Sequence, residues 1–347
     1  MKKIFTFCFL SATIIAAVAQ SSAAQDDPGS YMNSITNAQM DMNKTYMAYI
    51  SASAHSSRKR KIEKLREQTV DNIVIAQNNI NNLSPYKGDN SLRQSSVGYV
   101  QLCYKIFNDD YAHIVNMEDI AERSYDEMQA YLLLQQATND TLEMAISRMK
   151  KAEQTFAAKY NVTLVDEKTE LGDKMEQADR MGKYRDKVYL LFYKCNWEDG
   201  QMIEAQNQKN VTKVEQDRNA LDKYAIEGLA VLDTMKSFDN DGSLVNACRQ
   251  ALTFYKTEAE TQVPGLTDFF LKEENFNKLK AAMDAKSDSQ RTQQDVDSYN
   301  KAVTDLNNGV NTFNQINNDL NNGRNNANQT WEATEKNFMD IHTPYYK

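Results

Sequence analysis

Adjacent carboxylates are the residues of this chain with the clearest potential for chemistry. Glu118-Asp119 and Glu198-Asp199 each place two acidic groups side by side, as a general acid and a general base require. The chain has 48 acidic residues, so most of them must face solvent. A solvated helix face is therefore the favoured interpretation of both pairs. We predict no catalytic residues and a non-enzymatic protein.

Metal and cofactor motifs are equally weak. The segment Asp239-Asn240-Asp241-Gly242-Ser243 is similar to a calcium loop, but it lacks the alternating ligand spacing and the distal glutamate. It is better interpreted as a turn followed by a helix cap. The three histidines, His55, His113 and His342, lie far apart and outside the HExxH spacing of zinc hydrolases. His113 is expected to pack or pair near a helix start, and the other two lie close to predicted helix ends. The sequence has no P-loop, GxSxG or GxGxxG motif, and we predict no metal and no cofactor.

Residues 1–24 have the pattern of a secretory signal. Lys2 and Lys3 precede an apolar run, residues 4–18, and small residues suited to cleavage follow. Cys8 lies well before the cleavage site, whereas a lipid-anchored precursor needs a cysteine directly after it. The pattern predicts an exported protein with no transmembrane segment in the mature chain.

Three cysteines remain after such cleavage, namely Cys103, Cys195 and Cys248. At most one disulfide can form among three thiols within one chain. Buried free thiols are the favoured interpretation, and bridges from Cys103 or Cys195 to Cys248 stay open as alternatives.

The charge balance disfavours nucleic acid as a partner. The net charge of the chain is −8, and removal of two lysines with the signal would leave −10. One basic run, Arg58-Lys59-Arg60-Lys61, could meet an anionic lipid or polysaccharide headgroup. The favoured interpretation is that these cations offset the negative end of a helix dipole.

The composition predicts an all-α protein. Only 11 glycines and 4 prolines occur, and residues that favour helices are abundant. The prolines (Pro28, Pro85, Pro264 and Pro344) fall where helices should begin or end, and Pro264-Gly265 is expected to break the chain. The predicted helices cover residues 31–57, 59–83, 89–107, 117–160, 171–208, 211–236, 243–260, 266–285 and 291–341.

An internal repeat organises these helices. Residues 61–92 align without a gap onto residues 213–244 at an offset of 152. The identical pairs are Lys61/Lys213, Glu63/Glu215, Arg66/Arg218, Asp89/Asp241, Ser91/Ser243 and Leu92/Leu244. The alignment predicts two related helical repeats, residues 25–164 and 165–347, packed together as one elongated bundle of long amphipathic, coiled-coil-like helices. The recurring Glu-x-x-Arg pairs suggest equivalent helix surfaces.

Apolar periodicity indicates which helix faces are buried. Residues 188–193 form the most apolar run of the mature chain, and we expect it to be buried most of the way round. Two predicted helices, residues 117–160 and 291–341, show a regular seam of apolar residues. Asn317 and Arg324 interrupt the seam of the second helix. The seam residues are Leu142, Ala145, Met149, Ala152 and Phe156, then Val303, Leu306, Val310, Phe313, Leu320, Ala327, Trp331, Phe338 and Ile341. The alternative for the last helix is a disordered, asparagine-rich tail.

Aromatic residues recur in three stripes, which are expected to pack in the core. A ligand groove between the repeats is the alternative. The stripes are Tyr99, Tyr104 and Tyr111; Tyr189, Phe192 and Tyr193; and Phe269, Phe270 and Phe276.

Four segments resemble a family of exported helical bacterial "surface proteins", named after a spirochaete member and common in Bacteroidota-type bacteria. They are residues 124–133, 220–225, 241–249 and 269–276, among them Asp241-Gly242-Ser243-Leu244 and Phe269-Phe270-Leu271-Lys272. The resemblance covers nearly the whole mature chain and implies a cell-envelope or surface location. It implies no catalytic or binding residues.

These observations predict an exported, non-enzymatic protein, at the cell surface or in the periplasm, that acts by contact with a protein or glycan. One alternative is a periplasmic ligand-binding protein or enzyme that uses an inter-repeat groove. Another is a membrane-active protein of the pore-forming type, although the sequence shows no long apolar hairpin.

Overall fold

The fold is all-α, as the composition predicted. The computed structural model describes residues 14–15, 27–56, 58–110, 124–167 and 169–347. The helices are α1 Pro28–His55, α2 Lys59–Asn81, α3 Ser91–Tyr104, α4 Tyr125–Lys159, α5 Glu170–Asn207, α6 Val211–Thr234, α7 Ser243–Thr257, α8 Val263–Asp284 and α9 Gln293–His342. Two π-helical segments, Lys105–Asp110 and Glu258–Gln262, and a 3₁₀ turn, Asp288–Gln290, complete the helical part.

The predicted signal segment falls outside the described residues except at Ile14–Ile15. This dipeptide forms a two-residue strand, β1, antiparallel to the equally short β2 Asp166–Glu167. Among the helices of the described ranges, none combines the length and the apolar character that a membrane-spanning helix requires.

Side-chain caps fix several helix starts. Asp27 Oδ2 accepts the Ser30 N–H at 2.8 Å ahead of α1, which has Pro28 at its first position. Ser124 Oγ accepts the Glu127 N–H at 3.1 Å, and Asn210 Oδ1 accepts the Lys213 N–H at 3.1 Å. The starts of α1 and α6 lie close to the predicted ones because capping chemistry is local and visible in sequence. The described part of α4 begins at Tyr125, and its predicted start at residue 117 falls outside the described residues.

The predicted break at Pro264-Gly265 is wrong. Residues 243–284 are continuously helical, through α7, the π-helical segment Glu258–Gln262 and α8. The Val263 N–H bonds the Glu258 carbonyl five residues back, and Pro264 then takes a first-turn position of α8. Because Pro264 has no N–H to donate, a π turn before it accommodates the ring without ending the helix.

The described chain divides into two compact units. Unit 1 is Met1–Asp186 with Asn337–Lys347, and unit 2 is Lys187–Lys336. Fully buried side chains of unit 1 include Met42, Met47, Ile50, Ile73, Val100 and Phe156, and those of unit 2 include Val188, Leu221, Leu252, Tyr255, Leu266 and Trp331. The predicted division after residue 164 separates sequence repeats rather than compact units, and it stays a prediction.

The predicted seams are largely buried. In α4, Leu142, Met149 and Phe156 are buried, while Ala145 and Ala152 are half-buried. In α9, Leu320, Ala327, Trp331 and Phe338 are buried, so the asparagine-rich segment is a packed helix. Val303, Leu306 and Phe313 are half-buried. The predictions for Val310 and Ile341 are wrong, because these side chains are 37% and 59% exposed. The buried positions at this end step from Trp331 through Glu335 and Phe338 to His342.

The apolar run 188–193 is buried on most of its circumference. Val188, Tyr189, Phe192 and Tyr193 are buried, and Leu190 and Leu191 are half-buried. The expectation for this run is confirmed.

Local geometry recurs at the predicted offset of 152 residues. Tyr86 pairs with Asp89 in an isolated bridge, as Phe238 does with Asp241. The two residues inside each bridge have positive φ: 47° and 84° at Lys87 and Gly88, and 46° and 67° at Asp239 and Asn240. Buried positions also correspond, at Thr69/Leu221, Ile73/Ala225, Ala76/Gly228, Ile80/Leu232, Leu92/Leu244, Ser96/Cys248, Tyr99/Ala251, Val100/Leu252 and Cys103/Tyr255. Tandem repetition as their cause remains a prediction.

Candidate functional site

The acidic pair Glu198-Asp199 is buried in unit 2, so the predicted solvated face is wrong there. Glu198 is 7% exposed and Asp199 is 4% exposed. The sequence did not reveal this because the cation that donates hydrogen bonds to Asp199 is Arg324 on α9, 125 residues away. The other pair, Glu118-Asp119, falls outside the described residues.

Asp199 belongs to a buried three-residue cluster. Arg324 Nε donates to both carboxylate oxygens of Asp199 at 3.0 Å, and Nη2 of the same guanidinium lies 3.0 Å from Oδ1. Arg324 Nη2 also donates to Glu258 Oε1. Asp199 comes from α5, Glu258 from the π-helical segment and Arg324 from α9. The cluster therefore links three helical elements inside unit 2.

The cluster carries one carboxylate more than it has cations. Burial raises the pKa of Glu258, and the charge of Asp199 raises it further, while Arg324 opposes both effects. Burial also raises the pKa of Asp199 against the opposing effect of Arg324. Since Asp199 receives the double contact with Nε, Glu258 is the group that retains a proton at neutral pH. The protonated cluster is then close to neutral, as burial demands.

A second acidic contact lies beside this cluster. Burial raises the pKa of Glu198 to about 7, and the neighbouring charge of Asp217 raises it as well, while Lys213 and Lys194 lower it. Asp217, itself 4% exposed, forms an ion pair with Lys213 one turn earlier on α6. Both acids are thus held beside cations of their own unit.

This arrangement joins three helical elements of unit 2 by charged hydrogen bonds. The guanidinium edge formed by Nε and Nη2 is already occupied by two carboxylates, which leaves that edge unable to bind a substrate anion. Throughout the described residues, no three His, Cys, Asp or Glu side chains are grouped so that they could hold a metal ion.

The calcium-like segment is a turn with a local cap. Asp241 Oδ1 accepts the Ser243 N–H at 2.7 Å, and Asp241 pairs through its backbone with Phe238. In the corresponding turn, Asp89 Oδ1 accepts the Ser91 N–H at 2.9 Å. The sequence favours Asp89 as the N-cap of this helix, whereas in the structure Asn90 is the N-cap and Asp89 lies one residue before it. The interpretation of residues 239–243 as a turn is confirmed, and the carboxylate of Asp241 bonds the first N–H of α7 from the position before the N-cap, Gly242.

The described histidines end two helices, as predicted. His55 is the last residue of α1 and His342 the last of α9, whereas His113 falls outside the described residues. His55 Nδ1 is 2.7 Å from Asp340 Oδ1, and Nε2 is 3.0 Å from the Thr343 carbonyl oxygen. Both ring nitrogens of His55 are therefore engaged within unit 1.

The three mature cysteines are free and buried, which confirms the favoured interpretation. Neither bridge to Cys248 is formed. Burial raises the pKa of Cys195 to about 12 and the pKa values of Cys103 and Cys248 further still. The thiols are therefore protonated at neutral pH and unsuited to nucleophilic attack.

The aromatic stripes mainly fill the core. Tyr99, Tyr189, Phe192, Tyr193 and Phe270 are buried, Tyr104, Phe269 and Phe276 are half-buried, and Tyr111 falls outside the described residues. Phe192 stacks on Trp331 with ring centroids 4.5 Å apart, and Phe269 stacks on Phe313 at 4.3 Å. Core packing is confirmed for the buried members.

The recurring Glu-x-x-Arg pairs support the π-helical segments. Arg66 donates through Nε to Glu63 at 2.9 Å and through Nη1 to the Phe107 carbonyl at 3.1 Å. Arg218 likewise donates to Glu215 at 2.9 Å and to the Ala259 carbonyl at 3.4 Å. The glutamates thus orient arginines that bond carbonyls in the next helical element, a role that the sequence alone did not reveal.

An exposed strip of side-chain amides follows α9 in unit 2. We define the amide face as eight of the exposed asparagines of this helix: Asn307, Asn308, Asn314, Asn318, Asn321, Asn322, Asn325 and Asn326. Each amide offers two N–H donors and one carbonyl acceptor. The buried seam of the same helix holds these groups at fixed spacing.

A cationic cleft lies in unit 1. It has a volume of about 500 Å³, and its lining includes His55, Arg58, Lys61, Tyr345, Tyr346 and Lys347. Lys59 to Lys61 form the first turn of α2, where the helix dipole is positive, so these cations do not offset the dipole of α2. Arg58 and Lys61 line the cleft together with His55 in the last turn of α1, and an offset of the negative end of α1 stays a prediction.

Comparison of the chain with protein-family models, curated proteins and solved structures found no match. The resemblance to the exported surface-protein family therefore stays a prediction.

Proposed function

We propose that this chain is an exported, non-enzymatic helical protein of the bacterial cell envelope or surface that acts by contact with a glycan or a protein. The observation that carries the proposal is the amide face of α9, eight exposed asparagines on one helix. Export is supported by the signal pattern of residues 1–24, and the envelope location by the resemblance stated above.

Helix stability does not account for the amide face. Asparagine in a helix interior is less favourable than alanine by up to about 0.7 kcal/mol per residue. Since these side chains are exposed, burial does not offset that cost. Hydrogen bonding to an external partner is the use that fits such a surface.

A glycan matches the chemistry of this face better than a protein does. Sugar hydroxyl groups donate and accept hydrogen bonds, as carboxamides do, and they require no opposite charge. Protein interfaces are built around aromatic and apolar anchors, whereas the amide face consists of polar side chains. A protein partner is the other outcome of the experiment.

Location is tested by protease shaving of intact cells, followed by mass spectrometry with a periplasmic protein as the control. Peptides of this chain released while the control stays intact would support surface exposure. Recovery in the periplasmic fraction would instead favour a periplasmic scaffold or ligand carrier, and recovery in the cytoplasm would overturn export.

Contact is tested with one stripe of the amide face. Asn314, Asn318, Asn321 and Asn325 follow the spacing of four, three and four residues that places them along one side of α9. The probes are isolated peptidoglycan sacculi, purified envelope polysaccharide and total outer-membrane protein, each in a pull-down with the wild-type chain and the quadruple alanine variant.

The expected result is wild-type retention on a glycan probe and its loss in the quadruple variant, which should fold at least as stably. The matched control is Asn275→Ala/Asn277→Ala, two exposed asparagines of α8. Retention on protein alone, lost in the same variant, would assign a protein partner. Two results would refute the amide face as the contact surface. They are equal retention of the wild type and the quadruple alanine variant, and no retention of the wild type on any probe.

A further inference from the structure

The cationic cleft of unit 1 has a defined wall on three sides. The last turns of α1 contribute Ser51 and His55, and the start of α2 contributes Arg58 and Lys61. The segment after α9 supplies the third side, with Tyr345. The Tyr346 N–H donates to Ser51 Oγ at 2.9 Å, which ties this segment to α1. The cleft is therefore built from elements that are bonded to one another.

Positive charge in the cleft lacks compensation from the described part of the chain. No described residue forms an ion pair with any of Arg58, Lys59, Arg60 and Lys61. Two acids of this region are engaged elsewhere: Asp340 Oδ1 lies 2.7 Å from His55 Nδ1, and Glu63 pairs with Arg66. In a chain of net charge −8, such an unpaired cationic cluster is available to an external anion.

The equivalent helix start in unit 2 shows that these cations are not needed to begin the helix. There Asn210 caps α6, and Lys213, which aligns with Lys61, is paired with Asp217. Arg58 makes no side-chain capping bond, and α2 has no acidic residue in its first turn. Cations at this positive helix end destabilise it, and a bound anion would relieve the repulsion.

An aromatic ring stands beside the cations. Tyr345 stacks on the imidazole of His55, with the ring centroids 3.6 Å apart and the planes at 10°. The residue is nevertheless 63% exposed, so one ring face is held by His55 and the other is open. A ring held in this way is a preorganised platform for a flat or ring-shaped ligand.

We infer that the cleft binds an acidic sugar unit. Its carboxylate, phosphate or sulfate pairs with Arg58 and Lys61, and its ring stacks on the open face of Tyr345. A volume of about 500 Å³ is in the range of small-ligand sites, and charge-assisted bonds to a guanidinium supply specificity for the anion. The inference concerns unit 1 and stands independently of the amide face of α9.

The experiment is calorimetric titration of the full chain with four probes. Trigalacturonate carries carboxylates, a heparin-derived tetrasaccharide carries sulfates, mannose 6-phosphate carries a phosphate, and maltotriose is the neutral control. Binding of at least one acidic probe is expected, with affinity that falls as salt rises, and no binding of maltotriose.

Variants locate the site. Arg58→Ala/Lys61→Ala should weaken binding by about tenfold or more, because two charge-assisted contacts are lost. Tyr345→Ala should weaken it, whereas Tyr345→Phe, which keeps the ring, should not. The matched control is Lys278→Ala/Lys280→Ala, two exposed lysines of α8, which should leave affinity unchanged. Thermal melts of each variant separate loss of binding from loss of fold.

Three outcomes would overturn the inference. They are binding of none of the acidic probes, equal binding of maltotriose, and binding that the Arg58→Ala/Lys61→Ala variant retains. A parallel assay uses vesicles of phosphatidylglycerol against phosphatidylcholine. Vesicle binding that depends on the same cations, without any sugar binding, would assign the cleft to an anionic lipid surface instead.

Discussion

Arg324 Nε lies 3.0 Å from both carboxylate oxygens of Asp199, and the two residues are separated by 125 positions in the chain. The same guanidinium bonds Glu258, which is fully buried. One cation on α9 thus stabilises two acids from two other elements of unit 2, so the packing of this unit depends on the position of Arg324.

Replacement of Arg324 by leucine should destabilise the protein strongly. The variant leaves Asp199 and Glu258 buried without their cation, a situation that costs about 3–5 kcal/mol of unfolding free energy. Urea unfolding followed by circular dichroism measures the loss. The control is Arg249→Leu, which breaks an ion pair with Asp233 that is largely exposed.

The control should lose at most about 1 kcal/mol, as is usual for surface ion pairs. A loss from Arg324→Leu no larger than that of the control would show that the cluster does not hold unit 2 together.

Sequence predicted the helices well and their electrostatic partners poorly. Helix periodicity, capping residues and proline positions are local properties, so the ends of α2, α5 and α6 fall within a few residues of the predicted ones. The sequence also showed that Arg324 interrupts the apolar seam of α9. Its partners were not, because Asp199 and Glu258 meet it only through tertiary packing.

The cationic cleft and the π-helical segments were also only partly predictable from the sequence. The basic run was visible in sequence, but the cleft also includes Tyr345, which lies 287 positions after Arg58. Tertiary contacts bring it there, such as the hydrogen bond from the Tyr346 N–H to Ser51 Oγ. The π-helical segments were missed as well. Their carbonyls accept hydrogen bonds from Arg66 and Arg218, 41 positions earlier in the chain, and a helical sequence pattern does not show such contacts.

Glu153 should make stability depend on pH. Burial raises its pKa from 4.5 to about 7. The folded state therefore holds this proton more tightly than the unfolded state, so the unfolding free energy falls as pH rises from about 4.5 to 7 and then levels off. Glu153→Gln cannot ionise. It should match the wild type near pH 4 and exceed it by about 3 kcal/mol above pH 7.5.

Urea midpoints measured from pH 4 to 8 provide this comparison. Glu176→Gln, a change at an exposed carboxyl of α5, is the matched control and should leave the pH profile close to that of the wild type. If Glu153→Gln retained the full loss of stability between pH 4.5 and 7, the burial of this carboxyl would not be its cause.

Arg218→Ala should destabilise unit 2 through a backbone group. The Ala259 carbonyl would pair with the N–H of residue 264 in the π-helical pattern, but that residue is Pro264. Arg218 donates to this carbonyl instead, and Ala259 is fully buried. Removing the donor should cost about 1–2 kcal/mol.

Arg218→Lys tests the geometry of this contact, because an ammonium lacks the planar fork that bonds Glu215 and the carbonyl together. It should recover only part of the loss in thermal or urea unfolding. Glu215→Gln, which keeps an acceptor for the guanidinium, should cost less than Arg218→Ala. If Arg218→Ala unfolded at the wild-type midpoint, the contact with Ala259 would contribute nothing to stability.

Two glycines in helix interiors should respond in opposite directions to alanine. Gly98 lies on the exposed side of α3, and a Cβ built there meets nothing within 4 Å. Gly98→Ala should raise the unfolding free energy by about 0.5–1 kcal/mol, because alanine loses less backbone entropy on folding. At Gly323 of α9, a Cβ would come within 2.8 Å of Phe254 Cζ and 2.9 Å of Cδ2.

Gly323→Ala should therefore lower the unfolding free energy by about 1–3 kcal/mol, since the phenyl ring of α7 must move away. The double variant Gly323→Ala/Phe254→Leu should recover part of that loss, whereas Gly98→Ala/Phe254→Leu should show simple additivity. A stabilising effect of Gly323→Ala alone would show that α7 and α9 do not approach each other closely at this glycine. Because Arg324 is the next residue, that result would also contradict its contact with Glu258.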